Sequence, residues 1–133
     1  MIVGEALPDR VFRVDAEKMK IMAALLRDPN MIHLDAGETA RLGLGDRVVN
    51  QGPINLGYVH TMLAAWAGGE DRVLATAFRF RATVLAGDRV VAGGRVTAVH
   101  DDGRVECEVW LDVEGRGRAV SGTAVVGVRR RSA

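Results

Sequence analysis

The stretch Pro53-Ile-Asn-Leu-Gly-Tyr-Val-His-Thr-Met-Leu-Ala-Ala-Trp-Ala67 constrains the fold more than any other part of the chain. Pro53 suits the first helical turn, where its missing N–H would have no partner. Gly68-Gly69 suits the end, because glycine enters the left-handed conformation that stops a helix. The residues between are apolar nearly all round, which predicts a buried helix rather than a surface one. Such a helix needs a cover, and the chain after it supplies strands. The stretch is also too short for a membrane span of roughly 18–20 residues, and Asn55, Gly57, His60 and Thr61 interrupt it.

Four strand patterns follow. Ala75 to Val84 places Phe78, Phe80, Ala82 and Val84 on one face and Arg79, Arg81 and Thr83 on the other. Arg89 to His100 is rich in valine. Arg104 to Glu114 alternates most cleanly, with Val105, Cys107, Val109, Leu111 and Val113 opposite Glu106, Glu108, Trp110, Asp112 and Glu114. Arg118 to Val128 is the last. Short glycine-bearing turns at Ala86-Gly87-Asp88, Asp101-Asp102-Gly103 and Glu114 to Gly117 predict hairpins between successive strands. The expected fold is therefore α+β, an antiparallel meander around one apolar helix.

The first part of the chain reads as a short strand, Val11 to Val14, and then a helix N-capped by Asp15. Ala16, Met19, Met22, Ala23, Leu25 and Leu26 share one face of it. Pro29 disfavours helical geometry at Asp28, so the helix ends near there. Asp28 to Gly52 is long and mostly irregular, with a short helix from about Gly37 to Leu42. Its Met31, Ile32, Leu34, Leu42 and Leu44 predict that it packs over the body.

With 133 residues the chain suits one domain, spanning 1–133. A net charge of +1 gives no field that would draw it to nucleic acid or anionic lipid. One cysteine excludes an internal disulfide. Neither a signal peptide nor a metal-ligand cluster is visible, so a cytoplasmic protein without a metal is expected. Arg129 to Arg131 reads as a solvated tail.

Three histidines are candidates for chemistry. His100 precedes a turn and reads as a surface residue at a strand end. His60, one turn after Leu56, reads as a hydrogen-bonded core histidine. His33 lies in the irregular segment, five residues after Asp28. A carboxylate and a neutral imidazole on one water can move a proton between water and carbon near pH 7. The plainer alternative has Asp28 capping a turn and His33 exposed on a loop.

From Asp28 onward the chain resembles the MaoC-like dehydratase family, which includes the (R)-specific enoyl-CoA hydratases. Asp28, Asn30 and His33 match the family's Asp-x-Asn-Pro-x-His pattern, with Met31 in place of its proline. Pro53-Ile54-Asn55-Leu56-Gly57 matches Pro-Ile-x-His-Gly in all but the histidine, where Leu56 stands. Phe78 to Ala82, leading to Ala86-Gly87-Asp88, and Ala119 to Val126 are similar to later family segments.

The resemblance implies a hot-dog fold and reversible hydration of a trans-2-enoyl thioester to a 3-hydroxyacyl thioester. Asp28 and His33 would hold the water, and the Gly57 amide would stabilise the thioester oxyanion. Asn30, Asn55 and Leu56 would contact substrate. Arg79 and Arg81 would meet the phosphates of the carrier, coenzyme A or acyl-carrier protein, although strand alternation alone also explains them. No cofactor beyond the carrier is implied, and a homodimer or higher homo-oligomer formed by sheet extension is. Two other readings stay open. One is a hot-dog thioesterase, with Glu38 as its nearest carboxylate. The other is a non-catalytic subunit or acyl-thioester binding module.

Overall fold

The computed structural model describes residues 1–26, 30–44 and 47–127. Its central element is helix α3, Gly52–Ala67, which carries Pro53 in its first turn and stops at Gly68, whose φ of 95° is left-handed. Before it come strand β1 (Arg10–Arg13), helix α1 (Ala16–Leu26), a 3-10 turn at Met31–His33 and the short helix α2 (Ala36–Arg41). After it come β2 (Val73–Phe80), β3 (Arg89–Val99), β4 (Arg104–Val113) and β5 (Gly117–Gly127). The five strands form one antiparallel sheet in the order β1-β3-β4-β5-β2.

Alternation sets which face of the sheet meets the helix. Val105, Cys107, Val109, Leu111 and Val113 of β4 are all buried. They join Val59, Met62 and Leu63 of α3 in one core. Cys107 is a free thiol, and burial pushes it up to about 11. On the outer face Arg118 lies 4.5 Å over the Trp110 ring and pairs with Asp112. The expected hot-dog arrangement, a sheet wrapped on a central helix, is present.

Several expectations need correction. The hairpins at Asp101-Asp102-Gly103 and Glu114 to Gly117 form, but the one at Ala86-Gly87-Asp88 does not join β2 to β3. β2 pairs with β5, at the opposite end of the sheet from β1. The cause lies in the linker after β2. Val84 and Leu85 are buried there, Val84 accepts from the Asn50 amide at 2.6 Å, and Ala86 donates to Val48 at 2.9 Å. These bonds carry the chain away from β2, so β3 begins beside β1 instead. Ala82, expected on the inner face, is exposed.

The central helix is not enclosed on all sides within this chain. Asn55, Tyr58, Val59, Met62, Leu63 and Ala67 are buried, whereas Gly57, His60 and Thr61 are exposed. A five-stranded sheet covers only part of a helix's circumference, so His60 is not a core residue. It sits 3.5 Å from Thr76 Oγ1, with the Phe78 ring nearby. In α1, Met19 and Ala23 are buried but Leu25 and Leu26 are exposed. Of the apolar residues expected to pack down from the irregular segment, Ile32 and Leu44 are half-buried, while Met31, Leu34 and Leu42 are exposed.

Candidate functional site

His33 ends the Met31–His33 turn, and local bonds set that turn. Asn30 caps it, its side-chain oxygen accepting from the Ile32 amide at 3.2 Å. The Ile32 carbonyl accepts from Thr39 Oγ1 and from the Val49 amide, the latter at 2.7 Å. The imidazole in turn places Nδ1 2.6 Å from the Val49 carbonyl oxygen. A carbonyl only accepts, so Nδ1 carries the proton and Nε2 is the basic nitrogen of the neutral ring. Asp28, proposed from sequence as its partner, lies outside the described residues.

Residues 49–51 are the hub of this region. Val49 orients His33. Asn50 donates from Nδ2 to Asn55 Oδ1 at 2.7 Å. The Gln51 carbonyl accepts from the Ile54 and Asn55 amides and so starts α3, while Gln51 Nε2 donates to the Met19 carbonyl of α1 at 2.8 Å. Asn50, Gln51 and Asn55 are buried. The side-chain N–H groups of Asn50 and Gln51 are bonded, whereas Asn50 Oδ1 and Gln51 Oε1 are buried with no partner among the described residues, and the bonds that form lock α1, α3 and the linker after β2 together. Sequence reasoning named Asn55 but missed Asn50, Gln51 and Val49. The available signal was two amide side chains standing directly before the Pro-Ile helix start.

A groove of about 420 Å³ lies between α1 and the first two turns of α3. Phe12, Ile21, Met22, Leu25, Ile54 and Tyr58 make it apolar, and Gly57 opens onto it. Nothing stands within 4 Å of where a Gly57 Cβ would be. Gly57 is the sixth residue of α3, so the helical ladder directs its amide at the Pro53 carbonyl. Tyr58 stacks on Phe12 with ring centroids 4.7 Å apart. Burial holds its hydroxyl above the usual phenol range, partly offset by a hydrogen bond from Asn50. Because α1 also packs on the Met31–His33 turn, the same helix walls the groove and backs the histidine.

The remaining candidates lie apart. Leu56 is half-buried against the core. Arg79 is on the face of β2 opposite Phe78 and Phe80, paired in register with Ser121. Arg81, just past the strand, donates to Ser121 Oγ at 2.7 Å. Both line a broad trough on the outer sheet face with Glu108, Arg118 and Thr123. The sheet separates that trough from the groove at Gly57. His100 is at the surface, 2.9 Å from Glu106, as expected.

Comparison with known proteins bears on this geometry. The model of the MaoC-like domain matches residues 6–114. No curated protein matches the sequence. An (R)-hydratase from A. caviae involved in PHA biosynthesis is 27% identical, with a TM-score of 0.84 over 97% of this chain and 98% of its own. The ChsH1-ChsH2 complex from Mycobacterium tuberculosis gives 25% identity and a TM-score of 0.83 over 97% and 99% of the two chains. A MaoC-like dehydratase from Rhodospirillum rubrum, 23% identical with a TM-score of 0.80 over 100% and 96%, shares the fold.

Proposed function

The chain belongs to the MaoC-like dehydratase family, and from that premise we propose that it hydrates trans-2-enoyl thioesters reversibly. The observation that carries this reading is the His33 imidazole, locked by the Val49 carbonyl with Nε2 as its base, in a segment that also backs an apolar groove. The acyl chain occupies the groove. Asp28 and His33 hold one water, and one of them takes its proton as oxygen bonds to the β-carbon. The displaced π electrons move to the α-carbon, which receives a proton on the same face, while negative charge passes through the thioester oxygen.

Gly57 serves this step in two ways. Lacking a side chain, it lets the thioester approach the helix closely. It also lies near the positive end of α3, where developing negative charge is stabilised. Since the Pro53 carbonyl is the amide's helical partner, the oxyanion shares that proton rather than taking an unused one. Asn30 shapes the turn, and Asn55 and Leu56 flank the approach, whereas Arg79 and Arg81, expected from sequence at the carrier's phosphates, lie across the sheet from the groove and take no part in this reading. β2 lies at the sheet edge with Leu74 and Phe80 exposed, which favours pairing with a second copy.

Loss of enoyl-thioester absorbance on crotonyl-CoA tests the reaction, using the native protein, Asp28→Asn and His33→Ala. Hydration that collapses in both variants supports the water-holding pair. Hydration indifferent to both overturns it. One observation favours a second reading, an acyl-thioester binding subunit without turnover: Leu56, packed on the core, stands where the family has histidine. Thioester binding with no hydration of crotonyl, longer or branched substrates would select it.

A further inference from the structure

The trough on the outer face of the sheet, about 810 Å³ in volume, lies across the sheet from the groove at Gly57. We propose that it binds a phosphate monoester as the dianion, held between Arg79 and Arg81. The site is separate from the thioester site, and the proposal does not depend on the hydration reading.

Strand register brings the two arginines to one place. Arg79 is the cross-strand partner of Ser121. The Arg81 amide donates to the Ala119 carbonyl at 2.7 Å, which keeps Arg81 in register and on the same face, two residues on. Arg81 Nε donates to Ser121 Oγ at 2.7 Å. Both side chains line the trough at this one hydroxyl. Since the oxygen accepts from Arg81, its own proton can donate outward. Thr123, two residues along β5, adds a second hydroxyl to the lining.

The charges on this face do not balance locally. The carboxylates of β4 are already taken, Glu106 by His100, Glu108 by Arg95 and Asp112 by Arg118. Arg118 is held further by its stack on Trp110. Among the described residues no carboxylate pairs with Arg79 or Arg81. Like charges side by side on a sheet face are unfavourable, so the trough lacks two negative charges. A phosphate monoester dianion supplies both, with three acceptor oxygens for two guanidinium forks and a hydroxyl. A carboxylate supplies one charge and two oxygens, which a single guanidinium satisfies. Pairing of β2 with a second copy would extend the sheet edge to edge and leave this face open.

The probe is inorganic phosphate, titrated at pH 8 and low salt into the full chain labelled with ¹⁵N at arginine. The Nε–H signals of Arg79 and Arg81 should move together and saturate, while that of Arg95, already paired with Glu108, stays in place. Arg79→Ala and Arg81→Ala should each weaken binding about fivefold, the scale of one exposed charged contact. Both side chains are exposed, so neither change should unfold the protein, and thermal unfolding checks this. Acetate at equal concentration should bind more weakly than phosphate. Equal shifts with acetate or chloride, shifts that do not saturate, or variants that bind phosphate as the native protein does would each overturn the proposal. The affinity for crotonyl-CoA should be the same in Arg79→Ala as in the native protein. A fivefold loss there would place the carrier's own phosphates in the trough and overturn the separate site. Phosphate binding is read without turnover, so it can succeed where hydration fails, and hydration can succeed where phosphate does not bind.

Discussion

His33 and Val49, sixteen residues apart in the chain, are joined by a 2.6 Å hydrogen bond between Nδ1 and the main-chain carbonyl. The Val49 amide returns the link by donating to the Ile32 carbonyl at 2.7 Å. The ring is held through backbone on both sides of the contact, so its tautomer depends little on which side chain occupies position 49. In the neutral ring this bond leaves the lone pair on Nε2.

That tautomer is directly observable. In protein labelled with ¹⁵N at histidine and held in mildly alkaline buffer, Nδ1 of His33 should give the shift of a protonated nitrogen and Nε2 that of an unprotonated one. The reverse pattern would remove Nε2 as the base. On activity, His33→Ala should lower kcat/KM by about 100-fold or more, the usual size of a general-base contribution.

Gly57→Ala separates stability from function. Gly57 is in a helix interior with no positive φ, and an added Cβ meets nothing within 4 Å. Alanine should therefore stabilise the fold by about 0.5–1 kcal/mol through helix propensity. The same methyl would stand in the groove where the thioester must approach. The expected result is a Tm slightly above native with hydration reduced about tenfold or more, read by thermal unfolding and the crotonyl-CoA assay. A variant both stable and fully active would show that the thioester does not pass over Gly57.

Much of the scaffold was legible in the residues because local rules set it. Pro53 and Gly68 bound α3, and the strict alternation of β4 correctly sorted its inner and outer faces. The pairing of β2 was not legible. A glycine turn at Gly87 has the local chemistry of a hairpin, and only the long-range bonds from residues 48 and 50 to the linker after β2 divert it. The exposure of His60 was hidden for a related reason. Apolar composition indicates that a helix is buried but not how much of its circumference one sheet covers. At the site, His33 was visible as a residue type at a spacing, whereas its partner Val49 acts through a carbonyl that every residue has.

Asp88 holds the same linker from below. The residue is 7% exposed, and its carboxylate accepts from the Leu85 amide at 2.8 Å and pairs with Arg47 and Arg116. Asp88→Ala should destabilise the protein by about 2 kcal/mol or more, because the Leu85 amide is left unsatisfied in a buried place. The arginines are partly exposed and can turn to water, so the loss should stay below that of breaking a fully buried ion pair. Urea unfolding of the variant at two salt concentrations measures this. A change under about 0.5 kcal/mol would mean that the linker is held by its backbone bonds alone.

Cys107 reports on the core around α3. Burial raises its thiol to about 11, so the folded protein should label very slowly at pH 8, at a rate set by opening of the sheet. The direction of the pH effect follows from the proton count. Between the ordinary thiol range near pH 9 and the folded value near 11, the unfolded chain has lost the proton and the folded chain keeps it. Stability from this group is thus complete below about pH 9 and declines as pH rises through that window. Urea midpoints across the window should fall more steeply for the native protein than for Cys107→Ala, which retains every other titrating group. Parallel slopes, or fast labelling of the folded protein at pH 8, would show that the thiol at the centre of β4 is open to solvent.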